Sequence, residues 1–155
     1  AIVAAFQSLR EAGIFTYAFN MVGLPFETPA TLRETIALNQ EIRPDHVFCS
    51  VFFPYPGTQS HALCREKGWI AETAVASYFA HESALNQPTI SRREVIFTHE
   101  IFRDLVRWPR LEPLIRILHR IPVAPGKSAW NLIRRLRAKA REWRDRLTGQ
   151  PHHPE

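Results

Sequence analysis

The chain has 155 residues, of which 45% are apolar and 23% charged, the balance of a globular core and one that excludes a wholly disordered polymer. The longest apolar stretches, such as Val47 to Phe53, fall far short of the ~20 residues that a bilayer span needs. Net charge is +5 but uneven: residues 1–115 carry 10 Lys or Arg against 12 Asp or Glu, whereas residues 116–155 carry 10 against 3, so the basic character belongs to a tail.

The sequence opens without an initiator Met, a basic leader or a cleavage site, so no signal peptide is read at its start. Ile2, Val3, Phe6 and Leu9 fall on one helical face and Gly13 follows as a C-cap. A chain that begins inside a helix is expected to be the C-terminal part of a longer protein. Ile14 to Val22 is then a strand with apolar residues on both alternating sets, the pattern of a parallel strand covered on both faces. Gly23-Leu24-Pro25 ends it. Thr28-Pro29 supplies an N-cap and a first-turn proline, and Leu32, Ile36 and Ile42 line one face of the helix that follows.

Arg43-Pro44-Asp45 breaks that helix, and Val47 to Phe53 reads as a second buried strand. Pro54-Tyr55-Pro56-Gly57-Thr58 is a loop, and a short helix through Leu63 stops at Gly68. Two parallel strands joined by a right-handed helical crossover satisfy this order. Two strands alone make no stable sheet, so others are expected from a preceding region. Residues 69–90 are irregular. Ser91 to Glu94 is a capping box for a helix running to about Arg107, Leu111 to Ile121 forms another, and Pro122 to Gly126 is a hinge. A last helix over about Ser128 to Leu147 places Trp130, Ile133, Leu136, Ala140, Trp143 and Leu147 on one stripe, with arginines and lysines on its other faces.

In parallel α/β folds, chemistry gathers at the carboxyl ends of strands. Those ends read Met21-Val22-Gly23-Leu24-Pro25-Phe26-Glu27-Thr28 and Phe53-Pro54-Tyr55-Pro56-Gly57-Thr58. Gly23 allows close approach of a ligand or another backbone, and Glu27 stands where a helix dipole favours a carboxylate. Read singly, both are turn devices. Cys49 reads as a small buried hydrophobe, and His46, His61, His81, His99 and His119 show no ligand spacing. The two cysteines make neither a disulfide framework nor a four-thiolate site, which suggests a reducing, cytoplasmic setting. His152-His153 is at most a weak metal pair, and neither a Ser/His/Asp constellation nor a phosphate-cradling loop is legible.

Taken together, a strand ending Gly-Leu-Pro-x-Glu-Thr, a helix, and a strand ending Pro-Tyr-Pro-Gly-Thr resemble the later part of the radical S-adenosylmethionine barrel, most closely its cobalamin-binding-domain subfamily. The resemblance covers about residues 1–70, more loosely the helix at 91–107, and implies an α/β fold: a partial TIM-type (β/α) barrel followed by an all-helical extension. The division it implies is residues 1–70 as barrel, 71–126 as a substrate-access cover, and 127–155 as a basic amphipathic helix with a frayed tail. It places adenine contacts on Met21, Gly23, Pro25 and Glu27, and on Phe53, Pro54 and Tyr55 with the turn at Gly57; these are binding roles, and no catalytic or metal-ligating residue is implied here.

The cofactors implied are S-adenosylmethionine and a 4Fe–4S cluster, with cobalamin in the subfamily, and the partners are a small-molecule substrate and an electron donor such as flavodoxin or ferredoxin. The family's reaction is reductive cleavage of S-adenosylmethionine to a 5′-deoxyadenosyl radical. Two departures stand out. Phe26 occupies the usual glycine position and requires a less glycine-like backbone. The Cys-x-x-x-Cys-x-x-Cys loop is absent, and Cys49 and Cys64, 15 residues apart, do not replace it, so this chain alone is expected to bind no cluster and catalyse nothing.

The basic final helix admits three readings: a cover helix with its arginines in water, adsorption to a membrane surface through residues 127–147, or polyanion binding without a sequence-reading module. A noncatalytic module docking on an anionic membrane or polyanion is therefore the alternative to the enzyme reading.

Overall fold

The computed structural model describes residues 1–70, 83–124, 127–129, 131–133, 135–136 and 138–139. They form a mixed α/β structure that divides into two units, residues 1–107 and 108–155.

The first unit begins with helix α1 (Ile2–Glu11). Gly13, at φ +69°, ends it as expected: its N–H donates to the Arg10 carbonyl and the Ile14 N–H reaches back to that of Leu9. The Ile14 amide is thereby spent on closing the helix, and strand β1 starts later than its apolar run suggests, spanning Tyr17–Val22. Helix α2 (Pro29–Ile42) carries the expected cap. Thr28 accepts from the Thr31 N–H, Thr31 returns the bond to the Thr28 N–H, and Pro29 occupies the first turn. Arg43 ends α2 in the left-handed conformation, and the Arg10 guanidinium donates to the carbonyl of Ile42.

Strand β2 (His46–Val51) returns parallel to β1, pairing Tyr17 with His46 and Val22 with Val51. Asp45 fixes the start of this pairing. Its Oδ2 accepts from the Thr16 N–H and Oγ1–H, both at 2.8 Å, and the Thr16 Oγ1 accepts from the Asp45 N–H at 3.2 Å. These bonds hold the exposed Asp45 carboxyl below its ordinary range.

Helices α3 (Gln59–Glu66) and α4 (Arg92–Arg107) complete the unit. Thr58 caps α3, and the Ser91 Oγ accepts the Glu94 N–H to cap α4. Between them, among described residues, a single antiparallel bridge joins Ile70 to Leu85. The core comprises Val22, Leu32, Ile36, Val51, Val95, Ile101, Phe102 and Leu105, each below 9% exposure, where α2 and α4 pack on one face of the two-stranded sheet. A reciprocal amide pair lies within this layer. Asn20 Nδ2 donates to Asn39 Oδ1 at 3.1 Å, and Asn39 Nδ2 donates to Asn20 Oδ1 at 2.7 Å, satisfying a side chain only 2% exposed.

Covering of both sheet faces, as the sequence suggested for β1, is not what the described residues show. Side chains alternate along a strand, so Ala18, Asn20 and Val22 face the helices while Phe15, Tyr17, Phe19 and Met21 stand 40–77% exposed on the other side. Phe48 of β2, 51% exposed, joins them. Phe15, Tyr17 and His46 form one ring cluster, and Phe19 packs on Phe48 with centroids 5.8 Å apart.

In the second unit a 3-10 turn (Pro109–Leu111) leads into helix α5 (Glu112–Arg120). The expected hinge at Pro122 to Gly126 is instead part of a small antiparallel ribbon: β3 (Pro122–Ala124) pairs with β4 (Lys127–Ser128). Proline is tolerated at such an edge because Pro122 begins its strand and owes no ladder hydrogen bond. The Ser128 Oγ accepts the Asn131 N–H, so the last helix begins where its cap predicts, and its described residues within 129–139 are helical. Trp130, Ala140, Trp143 and Leu147 of the proposed stripe lie outside the described residues. No helix among the described residues is long and apolar enough to cross a membrane.

Candidate functional site

Both strand-end loops emerge at one end of the sheet, because β1 and β2 are parallel and in step. The Phe52 N–H donates to the Val22 carbonyl at 2.8 Å, extending the ladder to where the two loops diverge.

The first loop is locked from within. Gly23 turns the chain at φ +81°, and a Cβ there would come within 2.9 Å of Val95 Cγ1 on α4. The space that glycine leaves is thus filled by a neighbouring side chain of the same unit, not left for a ligand. Glu27, 8% exposed, folds back so that its carboxylate accepts the N–H groups of Gly23 and Leu24. Burial raises its pKa and outweighs the opposing effect of these two bonds. The expected approach of Glu27 to a helix N-terminus is therefore replaced by a turn lock.

Phe26 corrects a second expectation. Its backbone does not leave the glycine-like region; it stays there at φ +64°, a conformation costly for a bulky residue. Two contacts hold it. The Phe26 N–H donates to Gln87 Oε1 at 2.7 Å, and its ring meets Trp69 edge-on with centroids 4.9 Å apart. Gln87 Nε2 also donates to the Leu24 carbonyl at 2.8 Å, so one side chain staples both sides of the turn. Gln87 and Val95 are sequence-distant from this loop and carried no local signal. Asn39 did carry one, since it continues the apolar series Leu32, Ile36 and Ile42 on a buried helix face.

The second loop is simpler. Pro54 is buried, Phe53 is half-buried, and Tyr55 is 52% exposed with its ring edge-to-face on Phe53 at 5.0 Å. The Thr58 Oγ1 donates to the Tyr55 carbonyl at 2.7 Å, and Gly57 at φ +86° has open space around it, so its role is conformational. Pro25 is half-exposed beside Leu24.

Among the residues that the resemblance assigns to adenine, Met21, Phe53 and Tyr55 thus present apolar side-chain surface at the loop end of the sheet, while Gly23 and Glu27 are occupied with each other. Such a surface suits a planar, weakly polar ring. The residues present do not fit an iron–sulfur cluster. Cys49 lies on β2 and Cys64 is fully buried on α3, burial pushes the Cys49 thiol up to about 12 and raises that of Cys64, and no metal-holding group of three His, Cys, Asp or Glu exists among the described residues.

No known protein family matches the chain, and no curated protein or solved structure is detectably similar to it.

Proposed function

We propose that this chain is the C-terminal part of a radical S-adenosylmethionine enzyme and that residues 1–70 contribute two adjacent strands of its TIM-type barrel. The observation that carries the reading is the parallel β1–α2–β2 unit with helices on one face only. In such a barrel one face of each strand lies under helices and the other points to the interior. The exposed row Tyr17, Phe19, Met21 and Phe48 would then be the interior face, and its loop end would border the nucleotide.

In this reading Met21, Phe53 and Tyr55 make the apolar contacts to adenine. Gly23, Glu27 and Gln87 position the first loop without touching the ligand. The cluster that reduces S-adenosylmethionine has no ligands in this chain, so no step of its chemistry is assigned to these residues.

The test is anaerobic reconstitution, with iron and sulfide, of the full gene product containing this sequence, followed by an assay for 5′-deoxyadenosine under reducing conditions. Formation of 5′-deoxyadenosine, with weakened S-adenosylmethionine binding in Met21→Asp and Tyr55→Asp variants that still fold, is the expected result. Absence of a three-cysteine loop from the complete gene product, or no cleavage by a well-folded preparation, refutes the proposal.

A further inference from the structure

Helix α5 has two apolar faces where its own packing needs one. Ile115 is fully buried, and Leu111 and Leu118, one turn to either side, share its direction and are half-buried. A second series points the other way: Leu114 is 48% exposed, Ile117 58% and Ile121, just past the helix end, 46%. These positions fall at i, i+3 and i+7, so they form one strip along nearly the whole helix. Pro113 and Arg120 are exposed on the flank of this strip. The following helical segment adds Leu132 and Leu136, one turn apart and 44% and 58% exposed.

The surrounding charge is one-sided. From residue 108 to residue 139 there are eight Lys or Arg and one carboxylate, Glu112. Glu112 projects away from the apolar strip and pairs with Arg116 at 2.9 Å. An exposed aliphatic strip with arginine on its flank, in a positively charged region, is complementary to a surface that is apolar below and anionic above. We infer that α5 docks on an anionic phospholipid surface, with Leu114, Ile117 and Ile121 entering the headgroup–acyl boundary and the basic residues of the unit meeting the lipid phosphates.

A nucleic acid is the weaker fit. Aliphatic side chains gain nothing from a phosphate backbone, and the strip offers no aromatic ring on which bases stack. Nine residues of helix at ~1.5 Å each lie in the membrane plane rather than across it. The inference is independent of the enzyme reading, because none of its residues belongs to the strand-end loops.

The experiment is co-sedimentation of the full chain with phosphatidylcholine vesicles, with and without phosphatidylserine, beside a Leu114→Ser/Ile117→Ser variant. Both positions are exposed, so unchanged far-UV circular dichroism is the fold control. The chain is expected to sediment with the anionic vesicles and to be released by added salt, and the variant is expected to partition at least about tenfold more weakly, since two half-buried aliphatic contacts are lost. Failure to bind anionic vesicles at low salt overturns the inference. So does equal partitioning by the variant, or binding to single-stranded RNA that both proteins share while vesicles capture neither.

Discussion

Replacing Gly23 with Ala tests the packing of the first strand-end loop directly. The added Cβ would sit 2.9 Å from Val95 Cγ1 and 3.8 Å from Val51 Cγ1. Ordinary contact begins near 3.4 Å, so Val95 must give by about half an ångström. It is 1% exposed and β-branched, with no easy alternative rotamer on a helix. Overpacking of this kind costs ~1–3 kcal/mol. A non-glycine residue at φ +81° adds ~1–2 kcal/mol. Gly23→Ala is therefore expected to destabilise the chain by about 2–5 kcal/mol in urea unfolding. Val95→Ala alone should cost ~1–3 kcal/mol through the cavity it leaves. In the double variant the cavity accepts the new methyl group, and the two losses should fall short of their sum by ~1–2 kcal/mol, the backbone cost remaining. Additivity to within ~0.5 kcal/mol would mean that Val95 does not occupy the space above Gly23, and the reasoning about this loop would fail.

Glu27→Gln should cost ~1–3 kcal/mol, because an amide accepts one backbone N–H and turns its own N–H groups toward the other. It should also change the pH profile. The buried carboxyl of Glu27 holds its proton more tightly in the folded chain than at the ordinary 4.5. Its contribution is thus complete below that value and lost as pH rises through the raised one, so the stability of the native chain relative to Glu27→Gln should decline between about pH 4 and about pH 7; a difference constant with pH counts against burial as the cause. At Phe26, glycine relieves ~1–2 kcal/mol of backbone strain while losing a ring pair with Trp69 of ~0.5–1.5 kcal/mol. Phe26→Gly should accordingly be tolerated better than Phe26→Val, and the opposite order of urea midpoints would show that the ring, not the backbone, governs this position.

The elements written in local chemistry were legible. Gly13, Thr28-Pro29, Thr58 and Ser91 each mark a helix end that the structure places within a residue or two, and the two-sided apolar runs identified a parallel pair. The handedness of exposure was not legible, since Tyr17, Phe19 and Met21 look as suited to a covered face as Ala18 and Val22 do. The candidate site was legible as a location but not as a mechanism of support. Its turn is held by Gln87, more than sixty residues from Leu24 and Phe26, and by Val95, and contacts across such distances leave no periodicity to read. The ribbon at Pro122–Ser128 was missed for a different reason. Its strands are three and two residues long, too short for any alternation to emerge.

The loop lock and the open sheet face together constrain what any ligand of the first unit could use. Gly23, Leu24 and Phe26 have committed their N–H groups to Glu27 and Gln87, so the first loop offers few unspent backbone donors at its centre. A ligand there would be held mainly by apolar surface, from Met21, Phe53 and Tyr55, and any strong polar recognition must come from elsewhere. The same economy applies to the sheet. Among the described residues each strand has a single hydrogen-bonded neighbour, and a two-stranded sheet with one bare aromatic face gains little independent stability. Exposed apolar patches of this extent on folded chains mark surfaces made for contact. Covering Phe15, Tyr17, Phe19, Met21 and Phe48 with further strands would enclose the loop end that carries the candidate contacts, so folding and ligand binding in this unit rest on the same missing cover.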